Sequence, residues 1–126
     1  MLSPDDLKDR TKRFAVSVMK LVAGGSHSVS GQVIVKQLIR SATSVGANYR
    51  SACRARSKAD FISKMSIAEE EADETQYWLE LLHDSHVLKE KEFEDLYKEA
   101  SELTAIFTSA GKTARLNASK TSKGGK

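Results

Sequence analysis

Five carboxylates fall within six residues of this chain, Glu69, Glu70, Glu71, Asp73 and Glu74, and a Glu-x-x-His spacing follows at Glu80 and His83. Carboxylates and histidines one helical turn apart are the ligands of di-iron sites in helical bundles. Such a site needs a Glu-x-x-His pair on each of two helices and a further glutamate on each of the other two. Here one pair exists, the segment 4–24 contains no glutamate, and His27 and His86 fall in connecting segments. The preferred reading is a solvated or ion-paired acidic face, with a single metal site at Glu80 and His83 as the outlier. Cys53 is the single cysteine. It occupies an apolar seam position, where a lone thiol acts as a small hydrophobic side chain, and no histidine lies near it in sequence. Neither common form of glycine-rich phosphate loop occurs. The expectation is a protein without catalytic residues, cofactor or metal, hence not an enzyme.

The remaining chemistry is cationic. Arg50 and Arg54 are one turn apart, so on a helix their guanidinium groups share a face. Arg56 and Lys58 carry the charge into the following turn, and Arg40 precedes them. Residues 36–58 hold six basic groups and no acid, residues 59–103 hold fourteen acids against four lysines, and residues 111–126 hold five basic groups and no acid. A cationic strip, an acidic wall and a cationic tail result. Arg40, Arg50, Arg54, Arg56 and Lys58 are therefore candidates for neutralising nucleic-acid phosphates, with an affinity that falls steeply with salt. The competing structural reading pairs these arginines with Glu69 to Glu74 or with a neighbouring subunit, since the guanidinium fork matches a carboxylate.

Helices must position these groups. Asp5, Asp6 and Asp9 suit the first turns of a helix over 4–24 opened by Ser3 or Pro4. Leu7, Thr11, Phe14, Val18 and Leu21 form its stripe, and Gly24-Gly25 ends it. A second helix over about 31–55 presents Val35, Ile39, Ala42, Gly46, Tyr49 and Cys53, flanked by Leu38, Val45 and Ala52. Its residues Ser41 to Ala47 are nearly all small, which predicts close approach of another helix backbone. Asn48 is either an exposed amide or a hydrogen-bonding group across a helix interface. The third helix begins at Ser57, whose hydroxyl caps it, and runs to Ser85-His86. Phe61, Met65, Ala68, Ala72, Thr75, Leu79 and Leu82 repeat at heptad spacing along it. Ile62, Trp78 and Leu81 lie off that seam and predict a second buried contact, within the bundle or with another subunit. A fourth helix over about 89–114 repeats Phe93, Leu96, Ala100, Leu103, Phe107, Ala110 and Ala114.

No strand or hairpin signal interrupts this pattern. The fold class expected is all-α: an antiparallel up-down-up-down four-helix bundle over residues 1–116, with 117–126 as a disordered basic tail. The length of 126 residues suits one domain, able to bury roughly two thirds of its unfolded surface. One cysteine excludes an intramolecular disulfide. No apolar run reaches the roughly 20 residues needed to span a bilayer, and the N-terminus lacks the basic-then-apolar order of a signal peptide. A soluble cytoplasmic protein is expected.

The run QLIRSATSVGANYRSACRARSKADFISKMSIAEEEADETQYWLELL closely resembles the four-helix bundle proteins related to the 23S ribosomal RNA intervening-sequence proteins. RTKRFAVSVMKLV is similar to the first helix of that family, so the likeness covers about residues 10–84. The blocks RSATSVGAN and EEEADE-x-x-YWLELL carry most of it. Many relatives have an acidic Ala-Glu-Gly turn after the asparagine; here Tyr49-Arg50-Ser51-Ala52 follows, as in an arginine-rich branch. The resemblance implies a homo-oligomer, a pentamer of bundles around a central channel. Some members are encoded inside intervening sequences of large-subunit ribosomal RNA genes, and a distant relative works with a reverse transcriptase on nucleic acid. Two functions remain open at this level. One is RNA or DNA binding without strong sequence preference through the basic strip. The other is a structural or adaptor role in which the charged faces pair between subunits and recruit a protein partner.

Overall fold

In the computed structural model, residues 2–23 and 28–124 are described, with side chains through residue 120. The expected helix stop at Gly24-Gly25, and His27, lie outside these residues. Four helices and, among the described residues, no strand make up the fold: α1 (Pro4–Val22), α2 (Val29–Ala52), α3 (Lys58–Asp84) and α4 (Glu90–Gly124).

Local chemistry starts each of the first three helices. Ser3 Oγ accepts from the Asp6 amide at 3.1 Å, and the Asp6 carboxylate accepts from the Ser3 amide at 3.2 Å, a reciprocal capping box with Pro4 in the first turn. Ser28 caps α2 through the Gly31 amide at 3.1 Å, so α2 begins two residues earlier than the sequence pattern indicates. Ser57 caps α3 as expected, accepting from the Asp60 amide at 3.0 Å. At the other end of α3, His86 takes a left-handed φ of 63°. Its amide donates to the His83 carbonyl at 3.0 Å and the Val87 amide to the Leu82 carbonyl at 2.9 Å, the paired bonds of a Schellman stop. α4 continues to Gly124, where the sequence reading had a disordered tail from 117. Residues 117–123 have no large apolar side chain for a core, but they also lack proline and glycine, so nothing in them breaks a helix once it has started.

Packing follows the apolar seams. α2 lies against α3 and α3 against α4 over long contacts; α1 packs on α2 and more lightly on α4, and across the diagonal Tyr49 of α2 meets Phe107 of α4 with ring centroids 5.6 Å apart. Side-chain bonds between α3 and α4 pair Ser66 with Arg115, Glu69 with Thr108, Gln76 with Thr104, Glu80 with Tyr97 and His83 with Glu90. One number rises as the other falls, so these two helices run antiparallel. The seams of α1 and α3 are buried as read, apart from half-buried Leu21 and Phe61 at their ends. In α2 the buried line is Val35, Leu38, Ala42, Val45, Tyr49 and Ala52. It runs between the two stripes seen in the sequence because α2 wedges between α1 and α3. Cys53 is correspondingly not a seam residue: α2 ends at Ala52, and Cys53 is an exposed helix cap.

Polar groups tie the helices together where the seams leave room. Arg10 forms a two-pronged bond from α1 to Glu99 of α4, at 2.8 and 2.6 Å, and reaches Glu102 at 3.2 Å. The Glu99 hydrogen bond raises the Arg10 pKa against a smaller opposing effect of burial. Inside the α2–α3 contact, Thr75 Oγ1 lies 2.9 Å from Ser41 Oγ, both fully buried. No helix among the described residues is long and apolar enough to cross a membrane.

Candidate nucleic-acid interface

The cationic residues divide into two groups. Arg40, in the middle of α2, faces α3: its Nη1 donates to Glu71 at 2.8 Å and its Nη2 to Glu74, with Gln37 accepting from Nε at 3.1 Å. Burial would lower the Arg40 pKa, but the two carboxylates outweigh it and the net shift is upward. For this residue the arrangement is that of the structural reading, within one chain and not between subunits. Arg40 lies ten and fourteen residues before Arg50 and Arg54, about 15 and 21 Å along the helix axis. The structure does not bring it to the others.

Arg50, Arg54, Arg56 and Lys58 gather at one end of the bundle, and each is exposed. Arg50 sits in the last turn of α2, where a cation also complements the negative end of the helix dipole. The chain then tightens, with the Arg54 amide donating to the Ser51 carbonyl at 3.1 Å and the Ala55 amide to Ala52 at 3.0 Å, before Ser57 starts α3. This five-residue link holds Arg54 and Arg56 out into solvent. Among the described residues, no carboxylate lies within ion-pair distance of Arg50, Arg54 or Arg56. The acidic wall is engaged elsewhere: Glu71 and Glu74 take Arg40, and Glu69 accepts from Thr108 at 2.7 Å.

The first turns of α1 come to the same end. Lys8 and Lys12 border a groove of about 540 Å³ with Arg50 and Arg54, in which Asp5 and Asp9 also stand. Asp9 is taken by Arg13 at 3.1 Å, one turn along its own helix. Arg115 of α4 donates to Ser66 Oγ at 2.7 Å, in the cleft of Glu69, Glu70 and Asp73, so its guanidinium lies away from this end. Lys8 and Lys12 were not visible as site residues in the sequence, since α1 reads there as an acidic helix start. Their signal is positional: reversing α1 against α2 sets its beginning beside the end of α2.

Among the described residues no group of three histidine, cysteine or acidic side chains converges well enough to hold an ion. His83 Nε2 lies 2.6 Å from Glu90 and Nδ1 3.1 Å from Asp84, with its ring stacked on Phe93 at 4.0 Å between centroids. Glu80 instead accepts from the Tyr97 hydroxyl at 3.2 Å. Asn48 follows neither sequence reading: its amide donates back along α2 to the Ser44 carbonyl at 2.9 Å and hydroxyl at 2.8 Å.

The architecture and its sequence together match a known group. The model of the 23S rRNA-intervening sequence proteins matches residues 6–109. This chain belongs to that family. It is also similar to the crystal structure of a protein with unknown function from the S23 ribosomal protein family of Bacteroides thetaiotaomicron. The identity is 38%, the match covers 83% of this chain and 97% of that one, and the TM-score is 0.75. Comparison with curated proteins yields no match. The family assignment spans all four helices, including most of α4, for which the sequence pattern alone had shown only a similar periodicity.

Proposed function

We propose that this family member is a non-enzymatic, self-associating cytoplasmic bundle that binds RNA or DNA through the phosphate backbone, using the basic end of the molecule. The observation that carries the reading is the set Arg50, Arg54 and Arg56, exposed and without a carboxylate partner among the described residues, with Lys8 and Lys12 beside them. Guanidinium groups left in solvent at one end of a compact domain can displace the counterions of a polyphosphate, and that release supplies affinity without base readout. Lys58 extends the same field, and Arg40 does not contribute. The name of the family refers to 23S rRNA, which makes structured RNA the first probe.

Self-association has separate support. Val29 and Val33 of α2 and Tyr77 of α3 are large apolar side chains more than half exposed on adjacent helices. A second copy covering them would remove that surface from water. A pentamer, as the resemblance implies, is the assembly to look for.

The binding test is fluorescence anisotropy of labelled structured RNA and duplex DNA at several salt concentrations. Arg50→Ala with Arg54→Ala should weaken binding to both and reduce the slope of log affinity against log salt by about two. Arg40→Ala should leave binding within about twofold and lower the thermal midpoint slightly, as a half-exposed ion pair is worth roughly 0.2–1 kcal/mol. Absence of binding at low salt, or a slope indifferent to the double substitution, would reject the basic end as a phosphate surface.

A further inference from the structure

Two hollows adjoin at the basic end, of about 730 and 800 Å³, and both are walled by Pro4, Tyr49, Phe61, Ala114 and Asn117. The larger continues over apolar side chains, among them Leu7, Met65 and Ile106. The other, the outer hollow at the α2–α3 link, opens past Cys53 and Ile62 to Lys8, Arg56 and Lys58. Their lining differs from that of the other grooves in one decisive respect. The α1–α4 groove holds Glu92, Asp95 and Glu99, the α1–α2 groove holds Asp5 and Asp9, and the α3–α4 cleft holds Glu69, Glu70 and Asp73. Among the described residues, no carboxylate lines either of the adjoining hollows.

A hollow with an apolar and partly aromatic wall and, at its edge, Arg56, Lys58 and Lys8, the last 4.0 Å from Asp5, fits a flat apolar body attached to an anion. Resting on the reading of the basic end as a phosphate surface, we infer that these hollows accept an unpaired nucleotide of the bound nucleic acid. Its base enters beside Phe61 and Ile62, and its phosphate remains at Lys8 and Arg56. In a duplex the bases are stacked and paired inside, so only the backbone can meet the rim. In a single strand, loop or bulge a base is free to leave the chain axis, and packing against an aromatic wall favours such segments regardless of their sequence. The inferred ligand is therefore single-stranded or bulged RNA or DNA in preference to a perfect duplex.

Cys53, exposed and the sole cysteine, reports on the mouth of the outer hollow. The wild-type protein would be alkylated with iodoacetamide in the presence of single-stranded oligoadenylate, or of a blunt RNA duplex with the same number of phosphates at equal occupancy. The single strand should slow alkylation several-fold and the duplex much less. In anisotropy titrations at one salt concentration, the single strand should bind roughly tenfold tighter than the duplex. Ile62→Trp, which fills the outer hollow from its half-buried wall, should remove that advantage and leave duplex affinity unchanged. Equal affinities and equal protection, with a salt slope that still responds to Arg50 and Arg54, would overturn the nucleotide hollow and keep the basic end as a phosphate surface. Failure of both nucleic acids to bind would overturn both. Protection by a fatty-acid anion such as laurate, but not by the oligonucleotide, would reassign the hollows to a lipid and reject the inference.

Discussion

At position 46 the missing side chain sets a distance between helices. A Cβ built on Gly46 would stand 3.1 Å from Thr11 Oγ1 and 3.3 Å from Thr11 Cβ, and Thr11 is itself buried. Gly46 is thus explained by the approach of α1, at a cost of about 1 kcal/mol in helix propensity, while Ser41 in the same run serves the contact with α3. Gly46→Leu should push α1 away from α2 and lower stability by roughly 1–3 kcal/mol or more, read as a fall in the thermal or denaturant midpoint. An unchanged melting curve would contradict the close contact. The arginines teach a complementary lesson. Arg40 and Arg50 are identical in type and share a helix, yet one is paired with Glu71 and Glu74 while the other faces solvent. Position relative to the neighbouring helix separates a structural arginine from a candidate ligand-binding one.

Among the elements, the turn from α3 to α4 concentrates the conditional interactions. His86 occupies the left-handed position that glycine adopts without steric penalty. His86→Gly should therefore raise stability by up to about 1 kcal/mol, after allowing for the greater freedom of glycine in the unfolded chain. A lower midpoint would show that the histidine side chain makes a contribution larger than its backbone strain. His83 bridges the same turn, and its pKa is raised chiefly by the hydrogen bond to Glu90 and then by Asp84. A folded pKa above the unfolded value means that the charged form stabilises the fold. That contribution is complete below about pH 6.5, the ordinary histidine value, and is lost as pH rises through the raised folded value. Wild-type protein should show a lower melting midpoint at about pH 8.5 than at about pH 6, and Glu90→Gln should shrink this difference. An identical pH response in the variant would assign the effect to other groups.

On the scale of the whole molecule, the order of the helices separates charge along the bundle axis. The end of α2, the start of α3 and the start of α1 bring Arg50, Arg54, Arg56, Lys58, Lys8 and Lys12 together. The opposite end carries Glu80, Asp84, Glu90 and Glu92 around the α3–α4 turn, interleaved with Lys89 and Lys91. A field of this shape orients a polyanion before contact and accelerates its capture at low salt. The exposed apolar residues Val29, Val33 and Tyr77 belong to a different surface, so assembly and nucleic-acid binding should be separable. Val33→Lys with Tyr77→Lys should lower the mass measured by sedimentation at micromolar concentration without changing the salt slope of binding. A wild-type protein that sediments as a monomer throughout would refute self-association.

The number of helices, the starting residues of α1 and α3 and most core positions were legible in the sequence, because they depend on local chemistry. Ser57 caps whatever helix follows it, and a seam such as Met65, Ala68, Ala72, Thr75, Leu79 and Leu82 has one stable use, burial. The family was legible too, through RSATSVGAN and the EEEADE block. The partners of charged groups were not. Whether Arg40 meets Glu71, whether Lys8 stands beside Arg50, and whether a hollow free of acids opens under Arg56 depend on which helix lies next to which and at what height. Long charged side chains have no period that burial must satisfy, so their sequence constrains them weakly. Cys53 shows the same limit at a helix end, where a shift of three residues in the boundary moves a side chain from the seam to the surface. Local order came from the chain itself; the cationic end, its paired and unpaired arginines and its acid-free hollows arose only when four helices packed together and fixed the distances between them.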